Sequence, residues 1–202
     1  MATCHKCPLP IYYSDFCEQC FCDLLERRIK KYIGQHELLK KNDVLYVDND
    51  LVDYFLKKLF TLPLTLVRTP TDGASAKRVL AWTMDHELEF FLDELMTHGL
   101  IAPEKPGLKF FLAVTKSELQ AYTAAKNIPL PDDLKPAPKH DLMKPSGLVS
   151  IPGSGGDFLP LNTIQTPADI LNELEKRHHE TRASLMKSIE QLKLILKEDK
   201  TI

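Results

Sequence analysis

From Asp23 to about Leu39, the apolar positions Leu24, Leu25, Ile29 and Ile33, with His36, recur at helical spacing and predict a helix. The positions between them carry Arg27, Arg28, Lys30 and Lys31, and Lys40 and Lys41 follow, so the opposite face reads as basic. The apolar run Val44-Leu45-Tyr46-Val47 predicts a strand. Leu51, Tyr54, Phe55, Leu56 and Leu59 predict a second helix, ended by Pro63, and Leu64-Thr65-Leu66-Val67 a second strand. Strand, helix, strand in that order predicts a parallel βαβ unit. After the turn Thr69-Pro70-Thr71-Asp72-Gly73, a long helix is predicted from about Ala74 to Thr97, with Val79, Leu80, Met84, Leu88, Phe91, Leu92 and Leu95 as its apolar stripe.

Lys109-Phe110-Phe111-Leu112-Ala113-Val114 predicts a third strand. Thr115 then caps a helix over 116–126, with Glu118 completing a capping box. Prolines and glycines crowd the stretch from Pro129 to 162, which reads as linker. Thr166-Pro167-Ala168-Asp169 marks a helix start, and helices run to about Lys197 with an interruption near His178-His179. The expected class is α/β. Four segments are expected: a cysteine knuckle with a basic helix at 1–40, a small α/β domain at 41–130, a linker at 131–162 and C-terminal helices at 163–202.

Charge adds an exclusion. Lys and Arg total 26 against 28 Asp and Glu, so the chain is no basic nucleic-acid coat, although a local basic patch remains open. No apolar run approaches the roughly 18–20 residues of a membrane helix, and the N-terminus has no secretory h-region. A reducing, cytoplasmic location is expected.

The five cysteines all fall within residues 1–22. In a reducing compartment, pairs at this spacing argue for metal before disulfide. Cys4-x2-Cys7 and Cys17-x2-Cys20 form two knuckles with nine residues between them. Four thiolates complete a closed tetrahedral structural site, for which zinc is the expected ion. An iron–sulfur cluster, disulfides or unligated thiols are the alternatives. Cys22 reads as a spare thiol that could exchange with Cys20, and His5 as a surface residue. A closed site keeps no open coordination position, so it is scaffold rather than catalyst.

Other clusters read as ordinary surface. The consecutive Asp85, His86 and Glu87 point in different helix directions, so with Glu89 they cannot all converge and are expected on a solvated face. His178-His179 are expected in a surface loop, and Trp82 as a packing residue or partner contact. Arg27, Arg28, Lys30, Lys31, Lys40 and Lys41 could meet RNA phosphates, in which case they would position rather than read sequence.

The N-terminal Met-Ala-Thr-Cys-His-Lys-Cys, then Phe16-Cys17-Glu18-Gln19-Cys20-Phe21, then Arg27-Arg28-Ile29-Lys30-Lys31, resembles the cytoplasmic tRNA 2-thiolation protein 2 family. The same family is resembled by Asp72-Gly73-Ala74-Ser75-Ala76, by Gly107-Leu108-Lys109-Phe110 with Thr115 to Tyr122, and by Leu161-Asn162-Thr163-Ile164 with Leu171, Leu174, Glu175, Glu180 to Leu185 and Leu192. The resemblance covers about two thirds of the chain in the family's order. It implies a reduced PP-loop domain (adenine nucleotide alpha hydrolase-like, hence Rossmann-like). It also implies a non-catalytic subunit of the complex that puts sulfur on the wobble uridine of cytosolic tRNAs. The partners it implies are a catalytic PP-loop thiolation subunit in a heterodimer, tRNA and, indirectly, a ubiquitin-like sulfur carrier.

The departures are specific. The class places Ser-Gly-Gly-x-Asp-Ser after its first strand, where backbone N–H groups wrap pyrophosphate. Here Asp48-Asn49-Asp50 stands instead. Ser154-Gly155-Gly156-Asp157 lies in the linker without a predicted strand before it. No cysteine follows Cys22, so the sheet lacks sulfur-transfer thiols and the C-terminal cysteine pairs of the family are missing. The chain is also shorter, with about three strands expected. No catalytic residue is therefore assigned. The competing readings are a zinc-knuckle protein–protein adaptor unrelated to tRNA, and an ATP-dependent enzyme with an atypical loop.

Overall fold

The computed structural model describes residues 2–69, 76–98, 106–135, 166–177 and 180–198. Pro70 to Ser75, the stretch 136–165 with Ser154 to Asp157, and His178-His179 lie outside the described residues.

Helix α1 (Glu18–Gln35) starts directly at Cys17, earlier than the periodicity predicts, because Phe21 and Cys22 extend the stripe of Leu25, Ile29 and Ile33 by a turn. Strand β1 (Val44–Val47) follows, then α2 (Asp50–Leu59) and β2 (Thr65–Val67). The α2 helix has Asp50 and Asp53 in its first turn and Lys57 and Lys58 in its last, so both ends suit the helix dipole.

The predicted helix at 74–97 is corrected. Its first part is strand β3 (Lys77–Thr83), and only Met84–His98 is helix, α3. Val79, Ala81 and Thr83 are buried in alternation, a period of two that the 3.6-residue reading concealed. β3 gains two parallel ladders, to β1 and to β4 (Leu108–Phe111), which is what a central position offers a β-branched and aromatic segment. The sheet is thus four-stranded and parallel, in the order β2-β1-β3-β4, rather than three-stranded. Gly107 enters β4 at φ +133°, and a Cβ there would stand 3.0 Å from the Leu80 side chain.

Helix α4 (Lys116–Lys126) follows the sequence reading closely, with the Thr115–Glu118 capping box formed and Asn127 left-handed at its C-cap. A short 3₁₀ turn covers Asp132–Leu134. Helices α5 (Pro167–Arg177) and α6 (Thr181–Glu198) close the described chain.

Alternation along β3 divides the interior in two. Val79 and Ala81 join α1, α2 and α4 in one large apolar core that includes Phe55, Phe110, Phe111, Leu119 and Tyr122. Trp82 turns to the other face, where Leu88 of α3 packs with Leu171 of α5 and with Met186 and Ile189 of α6. The first core runs from Phe21 to Leu134, so it crosses the boundary expected at residue 40. Among the described residues no helix is long and apolar enough to cross a membrane.

Candidate metal centre

The cysteine segment has little apolar material of its own, and short-range contacts give it shape. Cys4 N–H donates to Leu9 O at 2.8 Å and His5 N–H to Asp15 O at 2.9 Å. Single antiparallel bridges join Thr3 to Pro10 and Tyr13 to Phe16. The resulting loop returns Cys4 and Cys7 to the start of α1, where Cys17 is the N-cap and Cys20 lies in the first turn. Cys17 gives no side-chain cap to the helix, so its sulfur is available for ligation.

The four sulfurs of Cys4, Cys7, Cys17 and Cys20 all lie within 4.8 Å of one another. Cys7 Sγ stands 3.4 Å from Cys17 Sγ and 3.9 Å from Cys20 Sγ. A tetrahedral ion with metal–sulfur bonds of about 2.3 Å sets its sulfurs about 3.8 Å apart, so the constellation fits one ion. Disulfide bonding needs sulfurs at about 2 Å, and all five cysteines are free thiols here. Cys4 and Cys17 are buried, at 6% and 3% exposure, while Cys7 and Cys20 are half-buried at the rim. The set is closed: four protein ligands leave no position for substrate.

The thiols are unequal. Burial raises Cys4, but backbone N–H groups of Cys17, Lys6 and Cys7 outweigh it and bring the thiol down to about 6. Cys20 is pushed up to about 12, first by its hydrogen bond with Cys17, then by burial and by Cys7 and Cys4. For Cys7 the Leu9 backbone pulls down, yet the Cys17 sulfur and burial together raise it. The cluster therefore holds protons that an incoming cation displaces. Cys22 points into the core, fully buried, and burial raises its thiol; it stands outside the cluster, so the exchange with Cys20 is not seen. His5 is exposed and meets the Phe16 ring edge-on, as a surface residue does.

The loop is docked far along the chain. Tyr12 Oη donates to Ala121 O at 2.8 Å, Tyr13 Oη bonds Ser117 Oγ at 3.0 Å, and the Tyr13 ring packs on Phe21 at 4.6 Å. One helical turn on from Phe21 and Cys22, Glu26 accepts from Tyr122 Oη and Lys58 Nζ, each at 2.7 Å. Burial first, and then Glu26, drive the Tyr122 hydroxyl far above its ordinary range.

The six cations of the predicted basic face divide. Arg27, Lys30 and Lys31 are exposed on α1. Arg28 pairs with Glu118 and donates to Ala113 O, both at 2.5 Å, so it serves the α1–α4 contact. Because α1 ends at Gln35, Lys40 and Lys41 belong to the turn before β1 and not to the helix face. Between α1 and α2 a shallow groove brings Arg27 and Lys30 beside Asp23 and Glu26.

Where the first strand meets α2, Asn49 Oδ1 accepts from Leu51 N–H at 2.8 Å and Val52 N–H at 3.3 Å. The helix N-terminus is capped by its own chain. Carboxylates surround it, and the nearby cations pair with them: Arg78 with Asp48 at 3.5 Å, Arg68 with Asp50 and Asp53 at 2.9 Å.

The expected solvated face at 85–89 is corrected too. Asp85 and Glu87 are each only 2% exposed. Glu87 accepts from Lys109 Nζ and Trp82 Nε1, both at 2.7 Å, inside the second face of the sheet. Asp85 accepts from the Lys116 backbone N–H and pairs with Arg182 of α6. The reading that these residues do not converge on one point holds, but they serve separate buried contacts. No local sequence signal marked them, because β3 runs directly into α3 and their partners are distant in the chain. No protein-family model matches the chain, and no curated protein matches it.

Proposed function

We propose that this chain is a non-catalytic subunit supporting 2-thiolation of the wobble uridine of cytosolic tRNAs, with zinc in the Cys4, Cys7, Cys17, Cys20 centre. The observation that carries the reading is a junction: a closed four-thiolate centre forms the start of a helix exposing Arg27, Lys30 and Lys31, and that helix packs on an all-parallel sheet. Zinc suits the donor set because it needs no redox change and favours four thiolates in a tetrahedron. The exposed cations of α1, with Lys40 and Lys41, would meet tRNA phosphates.

The junction of β1 and α2 supports the non-catalytic part. A phosphate site needs unspent N–H groups and little negative charge. Here Asn49 spends two of the N–H groups, and Asp48, Asp50 and Asp53 oppose an anion. Adenylation and sulfur transfer then fall to a catalytic PP-loop partner in the cytoplasm, supplied by a ubiquitin-like sulfur carrier.

The test is to purify the tagged chain from its native cells, identify co-purifying proteins by mass spectrometry and count bound metal. The expected result is one zinc per chain and a partner bearing Ser-Gly-Gly-x-Asp-Ser. Zinc with unrelated partners would replace this reading by a zinc-knuckle adaptor. Tight magnesium-dependent ATP binding by the purified chain would overturn its non-catalytic part in favour of the atypical-loop enzyme.

A further inference from the structure

We propose that the four-cysteine centre is also a site of oxidative modification, where hydrogen peroxide exchanges the bound ion for a disulfide between Cys7 and Cys17. The proposal rests on metal binding at this centre and not on the tRNA reading. Access comes first. Cys4 and Cys17 are buried, whereas Cys7 and Cys20 are half-buried at the rim. Cys7 Sγ lies 3.4 Å from Cys17 Sγ and 3.9 Å from Cys20 Sγ, so a small oxidant meets it where a second sulfur is already in contact. Cys17 is the nearer of the two. As N-cap of α1 it makes no side-chain cap bond, so its sulfur can turn toward Cys7 without uncapping the helix. Cys22 is fully buried and outside the cluster, so it offers no competing thiol.

The Cys7 thiolate attacks one peroxide oxygen. The S–O bond forms, the O–O bond breaks and hydroxide leaves, giving a sulfenic acid. The Cys17 thiolate then attacks the Cys7 sulfur, forming the S–S bond and expelling the hydroxyl as a second hydroxide. Two protons from solvent turn both into water, and two electrons have passed from the sulfurs to the peroxide. Closing 3.4 Å to a bond of about 2 Å takes both sulfurs out of coordination. Cys4 and Cys20 alone do not complete a tetrahedron, so the centre no longer holds an ion. The loop nevertheless stays closed. Cys7 and Cys17 bracket residues 8–16, so the disulfide ties the two knuckles that the ion ties. Tyr12 and Tyr13 keep their bonds to Ala121 O and Ser117 Oγ.

In the test, zinc in the full chain is counted first, and hydrogen peroxide is then added without reductant. A chromogenic chelator reads released zinc, peptide mapping after thiol alkylation reads the disulfide, and limited proteolysis reads the loop. The expected result is loss of the bound zinc and a Cys7–Cys17 cross-link, with Cys4 and Cys20 alkylated. Cleavage within residues 8–16 should stay slower, by about tenfold, than after chelation under reducing conditions. Dithiothreitol with added zinc should restore the starting state. An untreated chain without zinc would overturn the metal reading and this proposal with it. With zinc present at the start, three results would overturn this proposal alone: no release, a disulfide inside one knuckle (Cys4–Cys7 or Cys17–Cys20), or a loop cut as fast as after chelation.

Discussion

The cysteine loop and the parallel sheet hold their shapes by different means. The loop leaves Leu9 and Tyr12 exposed and is tied by four sulfurs and a few hydrogen bonds. The sheet is held by an apolar core whose aromatic rings interlock, Phe55 lying 4.9 Å from Tyr122 and 5.2 Å from Phe111. A region held by a bound ion answers to chelators and acid, and one held by burial answers to cavities and heat. The two should therefore be separable by experiment.

The largest separation should come from removing the metal. Chelation, or Cys4→Ser with Cys17→Ser, should release residues 2–16 entirely, read as rapid proteolysis there, while the main melting transition persists. Loss of both together would show that loop and sheet are one cooperative unit. The converse is Phe55→Ala, expected to cost about 3–5 kcal/mol in the core while metal content stays at one per chain. Glu87→Ala should cost a similar amount, about 3–5 kcal/mol by denaturant unfolding, because Lys109 is only 5% exposed and would be left buried without its carboxylate.

Acid should sharpen the contrast. At neutral pH, Cys7 and Cys20, both raised, hold protons that binding must expel, so affinity falls as pH falls. Below about pH 6 the Cys4 thiolate also takes up a proton, and the slope should steepen. Competition against a chelating dye between pH 5.5 and 7.5 measures this, and a flat profile would contradict it. The smallest effect should be Tyr12→Phe, which removes the bond to Ala121 O at a cost of about 0.5–1 kcal/mol and modestly speeds proteolysis of the loop.

What was legible in the sequence follows the same division. Cys4, Cys7, Cys17 and Cys20 were readable because knuckle spacing is local and thiolates have few other uses at that density. β1, α2 and α4 were readable because caps and periodicity are local as well. β3 was not, since Val79 and Leu80 continue the stripe of α3 in register, and its strand state depends on β1 and β4 being in place. Asp85 and Glu87 failed for a related reason: their partners Lys116, Arg182 and Lys109 are 22 to 97 residues away. Arg28, expected in RNA contact, finds Glu118 at a separation of 90.

Those separations also order events during synthesis. The four cysteines lie within seventeen positions of one another and can gather as soon as Cys20 leaves the ribosome. Their docking site does not exist until Ser117 and Ala121 have emerged, about a hundred residues later. At roughly 5–20 residues per second, that interval lasts about 5–20 s. Should the cluster take its cation at that stage, metal supply during translation would weigh, beside the affinity of the finished protein, on which ion the centre carries.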